Sequence, residues 1–132
     1  MSVKPSVRYM ILCDNWSPDS EHMERVNIWG LLSSLDSLGD PPFPYRHPEF
    51  CVYLALTELR GSANAQIVCV FEETQQRTFA TSVRPIAPAD NPLDVVGIAF
   101  RIRGGLFPRS GIYSIQLWWD GELLDQRTIS LR

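Results

Sequence analysis

The residues able to do chemistry in this chain are few, so each can be weighed by its spacing. The sequence holds two histidines, His22 and His47, and three cysteines, Cys13, Cys51 and Cys69. A zinc site would join the histidines to Cys13 or Cys51, or to an acid such as Asp14 or Glu49. No CxxC, HxH or HExxH spacing is present, so no metal motif is expected. Asp14, Asp19 and Glu21 carry the hard oxygens that suit calcium, but the alternating acid pattern of a calcium loop is missing, and a solvated acidic loop is the plainer reading. Ser33, Ser34 and Ser110 lack a nucleophile elbow and an identifiable base. Gly104-Gly105 lacks the lysine and spacing of a phosphate cradle. Glu72-Glu73 falls at a strand end, where solvated charge is ordinary. The expectation is therefore no catalytic residue, no metal and no cofactor.

Aromatic side chains carry more information. Trp118 and Trp119 are consecutive, so in a strand they point to opposite faces. Trp119 shares its face with Tyr113, Ile115 and Leu117 and is expected inside. Trp118 falls with Ile112, Ser114 and Gln116, a mixed face. A half-exposed tryptophan buries much area with few rotatable bonds, which favours it at interfaces. Phe43 and Tyr45, on a proline-rich connector, and Trp29 and Trp16 raise the same question. The candidate interface set is Trp118, Phe43, Tyr45, Trp29 and Trp16.

These residues must be positioned by strands. Tyr113 to Trp119 alternates cleanly, and Asp120-Gly121 is the pair that tolerates positive φ at both central positions of a type I′ hairpin turn. Leu123 opens the return strand, with Ile129 and Leu131 continuing its apolar face. Earlier strands are expected over 7–13, 25–35, 50–59, 65–72, 78–84 and 93–103. Over 25–35 a helix competes, since Leu31, Leu32, Leu35 and Leu38 fit a helical spacing, but Gly30 weakens it. The 93–103 strand places Arg101 and Arg103 towards solvent. Residues 14–22 read as a polar loop. Residues 40–48, with four prolines, read as an extended connector without regular structure. The total is about eight short strands with frequent turns. That pattern predicts a single all-β domain over 1–132, an antiparallel β-sandwich closing with a C-terminal hairpin.

Composition agrees. The chain has 132 residues, 45% hydrophobic and 20% charged, enough for one packed core without staples. The net charge is −3 with scattered Lys and Arg, which gives no basic face for nucleic acid. No signal-peptide run and no bilayer-length run is present. Three cysteines inside apolar runs read as buried, reduced thiols, so a cytoplasmic setting is expected.

Phe107-Pro108-Arg109-Ser110-Gly111-Ile112-Tyr113 resembles the approach to a late strand in many β-sandwich domains. In immunoglobulin-like folds a comparable tyrosine anchors a corner through its hydroxyl, a role the resemblance implies for Tyr113. A broader pattern runs from Cys13-Asp14 through Val26-Asn27-Ile28-Trp29-Gly30 and His47-Pro48 to the closing hairpin. It resembles an uncharacterised family of small bacterial β-sandwich proteins, a domain of unknown function, with the 15–24 loop as an insertion. The resemblance carries no catalytic residues across.

The expected function is a non-enzymatic protein-binding or assembly module, with another protein or a second copy of the chain as partner. The alternative is a small-ligand or carbohydrate-binding module with Trp16, Trp29 or Trp118 as a stacking platform. A metal-dependent hydrolase comes third.

Overall fold

A computed structural model describes residues 4–22 and 25–132. The described residues form ten strands: β1 (Ser6–Pro18), β2 (Val26–Leu31), β3 (Ser34–Leu35), β4 (Tyr45–Thr57), β5 (Ala63–Phe71), β6 (Gln76–Ala80), β7 (Arg84–Ile86), β8 (Val96–Phe107), β9 (Gly111–Trp119) and β10 (Glu122–Leu131). Sheet A has the order β2-β1-β4-β8, and sheet B the order β3-β10-β9-β5-β6, with β7 also pairing β5. Pairing is antiparallel except between β3 and β10. The segment 25–35 is extended, not helical. Met23 and Glu24, the end of the expected 15–24 insertion, lie outside the described residues.

The strand number exceeds the expected eight because two segments divide. Residues 25–35 supply β2 to sheet A and β3 to sheet B, so the chain changes sheets at Leu32-Ser33. Residues 76–86 form β6 and β7, which both pair with β5. Each piece satisfies its backbone groups against a different neighbour, which local sequence does not display.

One hydrophobic cluster joins the two sheets. Sheet A contributes Met10, Leu12, Phe50, Val52, Leu54, Ile98, Phe100 and Ile102. Sheet B contributes Ile67, Cys69, Phe71, Tyr113, Ile115, Leu117, Trp119, Ile129 and Leu131. Their alternation along each strand is the cause: one face of each sheet is apolar and must leave water. Phe71 and Phe107 pack on the Tyr113 ring at centroid distances of 4.9 and 5.0 Å, contacts each contributing about 0.5–1.5 kcal/mol beyond area burial. The Tyr113 hydroxyl donates to the Arg109 carbonyl at 2.6 Å and accepts from the Arg109 N–H at 3.2 Å. The anchor is made by the chain immediately upstream.

The closing hairpin has the expected turn. Trp119 pairs with Glu122, and Asp120 and Gly121 have φ of 49° and 80°. Trp119 is buried in the core and Trp118 is half-buried on the opposite face. The return strand differs from expectation. A bulge between Leu123 and Asp125 shifts the alternation by one, so Leu123 stands beside Trp118 on the outer face. Asp125 and Arg127 then oppose Leu117 and Ile115, and bond each other at 2.9 Å at the flank of the core.

Candidate functional site

The proline-rich connector is more ordered than its composition implies. Tyr45, Arg46 and His47 pair with Phe107, Leu106 and Gly105, and the register passes over Pro48, which has no N–H to give. Tyr45 is buried in the core and its hydroxyl meets His47 Nδ1 at 2.9 Å. Phe43 packs against the same core. Both were expected as surface candidates. The core covers Tyr45, while Phe43 stays half-buried against its rim.

Trp118 sits on the outer face of sheet B. Its indole N–H donates to Gln116 Oε1 at 2.9 Å, and the Arg77 guanidinium lies 5.2 Å from its ring centroid. Neighbouring side chains extend a polar ladder, with Ser114 Oγ donating to Gln126 Oε1 at 2.6 Å. The polar end of this tryptophan is thus satisfied within the protein, and one part of its ring is covered.

The outer face of sheet A has a different chemistry. Cys13, Cys51, Tyr53 and Ala55 are buried there yet stand outside the core cluster. By register they form adjacent rows: Leu31, Cys13, Cys51 and Arg101 across four strands, with Ile11, Tyr53 and Ala99 beside them. This floor is apolar and small. Around it Tyr9, Val26, Trp29, Leu31, Leu93 and Val95 remain exposed, Leu31 to 75% and Tyr9 to 58%. Arg101 and Arg103 are exposed, as expected, and share the Glu49 carboxylate at 2.9 and 3.3 Å. The Arg101 hydrogen bond, chiefly, holds that carboxyl below its ordinary range.

The arm formed by the end of β1 with β2 folds back across this face. It bends where Gly30, at φ +65°, passes the Asp14 side chain. Beyond the bend Trp16 reaches Tyr53, ring centroids 5.3 Å apart. The region 14–18, expected as loop, is therefore strand, and Trp16 belongs to a fixed arm. Between the arm and the segment before β8 lies an open groove of about 820 Å³. Trp16, Pro18, Val26, Tyr53, Leu93 and Val95 are among its lining residues.

Burial raises the Tyr53 phenol above its ordinary pKa and the Cys13 thiol to about 11, with Cys51 shifted the same way. These thiols therefore lack the thiolate character of a nucleophile. Among the described residues no group of three His, Cys, Asp or Glu side chains gathers at metal-binding range. No described helix is long and apolar enough to cross a membrane.

Of the five candidate interface residues, the structure brings Trp16 and Trp29 to the arm beside sheet A. It places Trp118 on the other sheet, buries Tyr45 and leaves Phe43 half-buried against the core. Tyr9, Leu31, Leu93 and Val95 were missed. The available signal was the apolar residue on both faces of 50–59, read as a central strand without asking what covers its second face.

A family model described as a family of unknown function, DUF6941, matches residues 8–132. The chain belongs to this family. The match takes in β2 to β10 and all of β1 but its first two residues. None of the curated proteins matches the chain. Among solved structures, it is similar to a Pseudomonas fluorescens alkylpurine DNA glycosylase, AlkC, bound to DNA containing an abasic site analog. The identity is 9% and the TM-score 0.49, over 76% of this chain and 28% of that one. A β-glucosidase from Listeria innocua in complex with gluconolactone gives 8% and 0.47, over 93% and 16%. A β-D-glucoside glucohydrolase from Trichoderma reesei gives 12% and 0.46, over 98% and 19%. The chain thus spans under a third of each of these proteins.

Proposed function

We propose that this DUF6941 member is a non-enzymatic protein-binding module whose working surface is the outer face of sheet A. The observation that carries the reading is the asymmetry between the two outer faces. Sheet B carries a hydrogen-bonded polar ladder beside buried Val68 and Val70 and exposed Ile112 and Leu123, whereas sheet A has the larger exposed apolar set, Tyr9, Leu31, Trp29, Leu93 and Val95, around buried Cys13, Cys51 and Tyr53. Contiguous apolar surface of this kind is costly in water and marks a surface that a partner covers. The same reading takes the two sheets as an immunoglobulin-like sandwich, with the Tyr113 anchor in support. It takes the setting as cytoplasmic, since three buried free thiols suit a reducing compartment.

Site-specific photo-crosslinking in the producing cell tests it. A crosslinking residue at Tyr9 should yield protein adducts, and one at Ile112, exposed on sheet B, should not. Adducts from Ile112 alone, or from neither position, would refute the reading.

The groove beside Trp16 and Tyr53 favours a second reading, a small-ligand or carbohydrate site with that aromatic pair as its wall. A ligand bound only by the folded state raises the unfolding midpoint. A glycan and metabolite screen that leaves the midpoint unmoved counts against it.

A further inference from the structure

The buried tyrosines differ in what their hydroxyls meet. Tyr113 bonds the Arg109 backbone and Tyr45 bonds His47. Tyr53 is only 6% exposed, yet its hydroxyl has no hydrogen-bond partner among the described residues. The hydroxyl stands over Gly97, where an added Cβ would lie 2.6 Å from the oxygen. Gly97 is not a position of positive φ, so the phenol and not the backbone requires glycine there. Both residues line the groove of about 820 Å³ between the arm and the segment before β8. The unpartnered hydroxyl therefore opens on its floor. A polar group so placed is costly unless something in the groove meets it.

The walls are apolar and offer donors more than acceptors. The Trp16 ring packs on Tyr53, and its indole N–H has no acceptor among the described residues. Pro18 and Val26 stand on one bank, Leu93 and Val95 on the other. The one carboxylate of the lining is Asp94, which pairs with no cation among the described residues. Both banks are acidic by sequence. Between Pro18 and Val26 the chain has Asp19, Glu21 and Glu24 against Arg25, and between Pro85 and Gly97 it has Asp90 and Asp94 with no Lys or Arg. A sugar would need several acceptors for its hydroxyls, and an ordinary peptide would bring N–H groups with its carbonyls. A proline-rich segment brings carbonyls without N–H groups, and its extended helix uses none of them internally. Aromatic-lined grooves recognise such segments, which are ordered before they bind.

We infer that this groove holds a proline-rich segment of a partner protein, flanked by a basic residue. The Tyr53 hydroxyl and the Trp16 N–H donate to its carbonyls, its prolyl rings pack on Trp16, Leu93 and Val95, and Asp94 meets the flanking cation. The inference deepens the reading of the outer face of sheet A as a protein-binding surface, and rests on it. The open side of the groove favours a chain over a small molecule. A small ligand is mostly enclosed by its pocket, whereas a segment passing through leaves one side to water.

Nuclear magnetic resonance of the full chain, titrated with a peptide of one arginine followed by nine prolines, tests this. The expected result is shifts at the Trp16 indole N–H and the amides of 93–97. The arginine peptide should bind more tightly than one headed by glutamate, and a glycine–serine peptide of the same length should not bind. Tyr53→Phe should weaken binding roughly 5- to 10-fold. It should leave the unfolding midpoint in place, because the hydroxyl bonds nothing within the protein. Asp94 is exposed, so Asp94→Asn should fold normally and remove the advantage of the arginine peptide. No shift at millimolar peptide overturns the inference, as do shifts confined to sheet B or an undiminished affinity in Tyr53→Phe. Shifts in the groove with cellohexaose and none with the proline peptide overturn it in favour of a sugar. In each case Tyr9 adducts with a partner protein would leave the binding-module reading standing, so the two failures are distinguishable.

Discussion

Replacing Gly30 by alanine tests the bend that lays the β1–β2 arm over sheet A. At φ +65° an L-residue costs about 1–2 kcal/mol. The new methyl would also stand 2.7 Å from Asp14 Cγ and 2.9 Å from Asp14 Cβ, and overlap Oδ2. Asp14 is exposed and its carboxyl can swing away, at about 1 kcal/mol for leaving its rotamer, while the 2.9 Å contact with its Cβ stays. The sum is about 2–3 kcal/mol. Urea unfolding of Gly30→Ala, Asp14→Ala and the double variant separates the two parts. The double variant should be less destabilised than the single changes added together, by about 1 kcal/mol, since the shorter side chain removes most of the overlap. The urea slope should stay constant, because the same surface is exposed on unfolding. A Gly30→Ala protein within about 0.5 kcal/mol of wild type, or strict additivity, would refute the account of the bend.

Three other expectations follow from the same geometry. Tyr113→Phe keeps the ring contacts but strands the Arg109 backbone, so it should lose about 1–2 kcal/mol in the same assay; an unchanged midpoint would show that the hydroxyl anchors nothing. Trp119→Ala should cost about 3–5 kcal/mol as a core deletion, whereas Trp118→Ala should cost clearly less; equal losses would contradict the turn-defined register. Burial pushes the Cys69 thiol from 9.0 to about 12. The unfolded thiol therefore ionises first, and this contribution to stability is full below pH 9 and falls as pH rises towards 12. Relative to wild type, Cys69→Ala should flatten the alkaline fall by up to about 4 kcal/mol, at roughly 1.4 kcal/mol per pKa unit. Parallel pH profiles for the two proteins would show that the thiol does not contribute.

Alternation and turn chemistry made part of the protein legible from its residues. Tyr113 to Trp119 alternates without interruption into a two-residue turn, so Trp119 could be assigned inward and Trp118 outward. Asp120-Gly121 states its own backbone conformation, because few other pairs accept two successive positive φ values. The sequence also marked Arg101 and Arg103 as exposed, since an unpaired charge does not enter a core. A bulge leaves no comparable local mark. The one after Leu123 adds a residue and reverses the faces beyond it, which brought Leu123 outward and turned Asp125 and Arg127 towards the flank of the core. Composition likewise named residues 40–48 a connector, but only packing decided that Tyr45 and Phe43 close the core.

The candidate site shows the same division. By itself the sequence determined that 50–59 carries apolar residues on both sides, because that is a property of order along the chain. It could not say what lies against the second side. That depends on an arm bent at Gly30 and on where Trp16 meets Tyr53. These are relations between residues far apart in the chain, and the tertiary structure alone brings them together.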